Sequence, residues 1–85
     1  MEIINKSIIE ETKKRIRIEK EISSSVELLQ SELVNGELEE GIEVNWLEST
    51  NEWVVSHEYK VLVDNLASEK EADAVKDEIE NLLYK

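Results

Sequence analysis

Apolar and polar positions alternate most clearly between Gly41 and Asp64. Side chains of a strand point to opposite faces in turn, so residues two apart share a side. Ile42, Val44 and Trp46 form one row; Trp53, Val55, His57, Tyr59, Val61 and Val63 form another. The polar run Glu48-Ser49-Thr50-Asn51-Glu52 separates them and supplies a turn. A turn centred on Thr50-Asn51 sets Trp46 opposite Val55, Val44 opposite His57 and Ile42 opposite Tyr59. A slip of one residue would split the apolar rows between core and water. The second strand, Trp53 to Val63, is long enough to expect a bend or bulge near Ser56-His57-Glu58. The outer face then carries Glu43, Asn45, Ser56, Glu58 and Lys60, with Leu47 and Val54 paired near the tip.

Helical spacing dominates the C-terminal third. Ser68 and Glu71 make a capping box, and Ala72, Val75, Ile79, Leu82 and Leu83 recur as one stripe. Acids crowd the first turn, where they complement the helix dipole, and Lys85 closes the last. A second box, Ser24 and Glu27, opens a helix through Val26, Leu29 and Leu33 that Asn35-Gly36 ends.

The N-terminal third is read less simply. A short helix is expected over residues 1–12, where Ile4 and Ile8 share a face. Lys14 to Ile22 alternates, with Ile16, Ile18 and Ile22 on one side and Arg15, Arg17, Glu19 and Glu21 on the other, as in a half-buried strand. The rival is one helix from about residue 2 to 34, whose Glu and Lys content suits it. Ile16 and Ile18, two apart, cannot share a helical stripe, which favours the strand.

The expected fold class is α+β, ordered (α)-β-α-β-β-α. Its three-stranded antiparallel sheet has order 2-3-1, with the helices packed on one face. In topology alone this is a ferredoxin-like arrangement lacking its last strand. Eighty-five residues make one domain, 1–85, with a small core. The chain has no Cys, so neither a disulfide framework nor a thiolate metal site is expected. Its N-terminus lacks the pattern of a signal peptide, no stretch reaches membrane-spanning length, and a cytoplasmic location is expected.

Charge changes the picture further. The net charge is −11, with +1 in residues 1–22 and −12 in residues 23–85. Such a field repels nucleic acid and anionic membrane and attracts basic surfaces; in the plainest reading it serves solubility. His57 stands between Ser56 and Glu58, but a strand sends those two to the face His57 avoids, so no catalytic triad forms. One His without Cys excludes the usual zinc sets, no calcium loop is present, and Gly36 and Gly41 frame no phosphate cradle. No catalytic residue, cofactor or metal is expected. The basic run Lys13-Lys14-Arg15-Ile16-Arg17 lacks aromatics and is followed by Glu19 and Glu21, so direct nucleic-acid binding is not expected. Arg15 and Arg17 are expected to pair with acids on an adjacent strand.

The candidate binding surface is the acidic band Glu37, Glu39, Glu40, Glu43, Glu48, Glu52 and Glu58, with Leu47 and Val54 as apolar anchors. Alternate strand positions lie ~6.6 Å apart, close to the step between successive phosphates along a nucleic-acid strand. In size and charge the chain resembles the small nucleic-acid mimics by which mobile elements inhibit nucleic-acid enzymes, such as host-defence nucleases. The resemblance implies a non-catalytic inhibitor or decoy whose partner is a basic protein. A structural, self-assembling module, homodimeric through an open sheet edge, is the alternative.

Overall fold

A computed structural model describes residues 6–84. The order is α1 (Lys6–Gln30), β1 (Ile42–Leu47), β2 (Glu52–His57), β3 (Lys60–Leu66) and α2 (Glu69–Leu83). The α+β class holds, with two helices and a three-stranded antiparallel sheet.

Residues 14–22 are helical, not a strand, and Ser24-Glu27 lies inside α1 rather than capping a new helix. Two helical periods explain the difference. Ile18, Ile22, Ser25 and Leu29 recur every three or four residues and turn inward, whereas Ile16 is 48% exposed on the opposite side. Strand-like alternation thus arises from one isoleucine that never enters the core. Neither Gly nor Pro interrupts Lys6–Gln30. Ser25 is accommodated mid-helix because its hydroxyl donates to the Glu21 carbonyl one turn back, at 2.6 Å. Of the N-terminal helix expected over residues 1–12, the part from Lys6 belongs to α1, and residues 1–5 lie outside the described residues.

Asn35-Gly36 does not end α1, which stops at Gln30. With φ of 56° and 81°, the pair instead turns a two-residue hairpin in the connector. Val34 and Glu37 exchange both backbone hydrogen bonds across it, at 2.7 and 3.1 Å.

The sheet is a meander, ordered β1-β2-β3 where 2-3-1 was expected. The expected first strand is helix, and the long strand Trp53–Val63 divides at Glu58-Tyr59 into β2 and β3. His57 pairs with Lys60 across that turn. Trp46 faces Trp53, Val44 faces Val55 and Ile42 faces His57, two residues from the expected register. An even slip preserves the faces of the β1–β2 pair, but Tyr59 enters the turn and Val61, opposite Ser56, turns outward at 53% exposure. The β1–β2 loop is Glu48–Asn51, with Asn51 at φ 57°. Two register shifts bulge β3 and let the adjacent Leu62 and Val63 both reach the core.

In α2, Ser68 caps as expected: its hydroxyl accepts the Glu71 N–H at 3.1 Å. The Glu71 carboxylate returns to the Ala67 N–H at 2.9 Å, one residue before the cap. Ala72, Val75, Ile79 and Leu83 are buried, while Leu82 is 40% exposed. The Tyr84 N–H closes the helix on the Glu80 carbonyl, and Lys85 lies outside the described residues.

The helices run side by side in the same direction. Lys14 meets Glu71 near one end, and Leu33 lines a cleft with Leu83 at the other. α1 packs over β3 and α2 over β1 and β2, so both cover one sheet face above a single core.

Candidate protein-binding surface

Strand alternation and the two turns decide where the acidic band falls. β1 begins beside the β2–β3 turn, because Ile42 pairs with His57. Glu43 therefore points outward close to Glu58, and the connector brings in Glu40. Glu40, Glu43, Glu58 and Tyr59 line one open groove of about 400 Å³. All four are exposed, Tyr59 fully so at 104%. No hydrogen bond or ion pair engages these three carboxylates among the described residues. Glu37 and Glu39 are exposed on the connector that approaches this end.

Glu48 and Glu52 occupy the other end of the hairpin. The band is thus divided by the length of β1, about 20 Å for six residues. Glu48 is exposed in the loop. Glu52 is half-buried and serves the fold, accepting the Asn65 N–H at 2.6 Å where β3 bulges.

The two apolar candidates do not pair with each other. Leu47 is half-buried opposite Glu52, and Val54, opposite Asn45, is 1% exposed. β2 is the central strand, flanked by β1 and β3. Val54 therefore stabilises the sheet and offers no contact to a partner in this conformation. Between the two acidic ends Asn45 Nδ2 donates to Ser56 Oγ at 2.9 Å, and Val61 lies exposed on the same face opposite Ser56.

His57 is 3% exposed and holds three segments together. Its Nε2 lies 3.1 Å from the Glu40 carbonyl oxygen, which fixes the connector where it enters β1. Its Nδ1 lies 3.7 Å from Glu32 Oε2, just beyond the end of α1, and Lys60 Nζ lies 3.9 Å from the other oxygen of Glu32. Ser56 points to the opposite face.

Several bases are turned inward against acids of the same chain. Lys14 pairs with Glu71 at 2.9 Å, and Arg17 bridges Glu21 and Asp64. Arg17 thus meets an acid on a strand from a helix, across the helix–sheet interface rather than from an adjacent strand, and Arg15 is exposed with no ion pair to a strand acid among the described residues. Partial burial raises the pKa of Glu71, but the Ala67 N–H and Lys14 outweigh it and hold the carboxyl below its ordinary value. Such pairing leaves the acids of the sheet end to face solvent.

Three further features lay outside the sequence expectations. Tyr59 belongs to a turn rather than to the strand row, although Glu58-Tyr59 contains none of the usual turn residues. Trp46 keeps 42% exposure beside Trp53, with ring centroids 5.5 Å apart. β3, rather than residues 14–22, forms the second edge of the sheet. Among the described residues, no group of three or more His, Asp or Glu converges as a metal site, and no helix is long and apolar enough to cross a membrane. No known family model matches this chain, and neither a curated protein nor a solved structure shows significant similarity to it.

Proposed function

We propose that this chain is a non-catalytic module that binds a basic protein surface through the acidic end of its sheet. The observation that carries the proposal is the groove of Glu40, Glu43, Glu58 and Tyr59. Three carboxylates with no pairing partner among the described residues line this groove with a fully exposed aromatic ring, in a chain of net charge −11. Tyrosine presents a large contact area at low entropic cost, and carboxylates around it suit Lys or Arg of a partner. In its sharpest form the proposal is an inhibitor or decoy, acting in the cytoplasm on a basic nucleic-acid-binding protein or nuclease by occupying its nucleic-acid groove, as a mobile element's anti-defence protein would. The second reading, a homodimeric module joined through a sheet edge, is favoured by the open β1 edge.

Capture from nuclease-treated host lysate tests the proposal, using the wild-type chain and a Glu40→Lys, Glu43→Lys, Glu58→Lys variant. The wild type is expected to retain a basic protein at low salt and release it as salt rises, and the variant to lose it. Equal retention by the variant at low salt rejects the acidic end as the contact. The decoy form further requires that the purified chain compete with nucleic acid for the captured protein.

A further inference from the structure

The two edges of the sheet are built differently. β3 is bulged twice, and α1 lies over it. Arg17 Nη2 donates to the carbonyls of Asp64 and Asn65 at 3.2 and 3.4 Å, and the Ser25 hydroxyl reaches the Leu62 carbonyl at 3.4 Å. Bulges and covered carbonyls are devices that stop a strand edge from pairing. β1 has none of them. Its six residues run in unbroken register with β2, and among the described residues no hydrogen bond takes its outward backbone groups.

The surroundings of that edge are predominantly acidic. Glu43 projects on the outer face, and Glu40 and Glu48 stand beyond the two ends. On the covered face, α2 overlies β1 with the flank turned away from α1. Glu71, Ala74 and Glu78 line the groove toward α1. Glu69, Asp73, Lys76 and Glu80, spaced i, i+4, i+7 and i+11, therefore share the other flank. Half-exposed Trp46 lies on this side of β1, uncovered where a further strand would pass.

Resting on the protein-binding reading above, we propose that β1 is a docking edge for an extended, lysine- or arginine-rich segment of the partner, which joins the sheet as a fourth strand. Main-chain hydrogen bonds supply affinity, and the acids on both faces select the charge. A second copy of this chain fits less well. The antiparallel register that aligns the apolar rows, with Val44 on its own copy and Ile42 against Trp46, sets Glu40 opposite Glu48 at both ends, and each copy brings a charge of −11.

The probe is the peptide acetyl-KTKVKTK-amide, compared with the same peptide N-methylated at every backbone amide. The methylated form keeps every charge and donates no strand hydrogen bond. The unmodified peptide is expected to bind at low salt, to shift Trp emission to the blue, and to slow hydrogen exchange in residues 42–47 but not 60–66. The methylated peptide is expected to bind at least about tenfold more weakly, since several hydrogen bonds are lost. Equal binding of the two would leave recognition of basic charge standing and overturn strand addition. Failure of both to bind would overturn the docking edge, whereas the triple-lysine capture experiment decides the acidic-surface reading separately. Protection of residues 42–47 together with a dimeric mass in the absence of peptide would assign the edge to a second copy and overturn the proposal.

Discussion

Arg17, in the middle of α1, reaches Asp64 near the end of β3 through two separate contacts. Nη1 lies 3.2 Å from the carboxylate Oδ1, and Nη2 lies 3.2 Å from the same residue's carbonyl oxygen. A planar fork makes both at once, and a lysine ammonium cannot reproduce the arrangement. The group is partly solvated, so each contact is weak by itself. Arg17→Ala is expected to lower stability by about 1 kcal/mol, with little rescue by Arg17→Lys. Urea denaturation midpoints would check this, and full stability in Arg17→Lys would show that a point charge suffices.

The helical register of α1 predicts a sharp contrast between two isoleucines. Ile22 is 2% exposed and Ile16 is 48% exposed. Ile22→Ala is expected to cost about 2–5 kcal/mol, and Ile16→Ala within about 0.5 kcal/mol. Both would be costly if residues 14–22 formed a strand with these side chains on its buried face. Thermal or urea unfolding of the pair distinguishes the two arrangements.

Glu71 links stability to pH. Its folded-state pKa is depressed by the Ala67 N–H and by Lys14, against the opposing effect of burial. A depressed carboxylate contributes stability that is fully present above the unfolded value, about 4.3 for glutamate. That contribution fades as pH falls through the lower folded value. Glu71→Gln should therefore be less stable than wild type at neutral pH, with the difference shrinking on acidification below about pH 4. A constant difference across the acid range would show that the Glu71 charge is not what the cap uses.

Glu58 adopts a φ of 57° at the tip of the β2–β3 turn, in the region that suits glycine. Glu58→Gly relieves that strain while adding chain entropy to the unfolded state, for an expected net gain of about 0.5 kcal/mol. The same substitution removes one carboxylate beside Tyr59. Improved stability with weakened partner binding would show that this position is kept for contact rather than for folding. Unchanged binding would remove Glu58 from the site.

Parts of the fold were legible in the sequence because several signals agreed there. In α2, the Ser68 cap, the acidic first turn and the Ala72–Val75–Ile79 stripe all name the same helix. The faces of β1 and β2 were legible because a period of two survives any even slip, and here the slip was two. α1 was hidden for a physical reason. It rests over β3 and beside α2, so Arg17, Glu21 and Ser25 occupy inward positions that a deeply buried helix would give to apolar side chains. Ile16 added a misleading alternation with Ile18. The exposure of Glu40, Glu43 and Glu58 followed from their charge, but their convergence on Tyr59 did not. It depends on a turn with neither Gly nor Asn at its centre. Val54 lies on the strand that the expected order 2-3-1 and the observed order β1-β2-β3 both make central, so its burial on the outer face was open to inference from strand rank.

The doubly bulged, helix-covered edge of β3 also sets a limit on assembly. A sheet that accepts strands on both sides can propagate, each addition presenting the next acceptor, until a fibre forms. With a single acceptor side, one addition saturates the chain. Complexes made through the proposed β1 edge would therefore close at a one-to-one stoichiometry, and a surplus of either component would leave free molecules rather than longer chains.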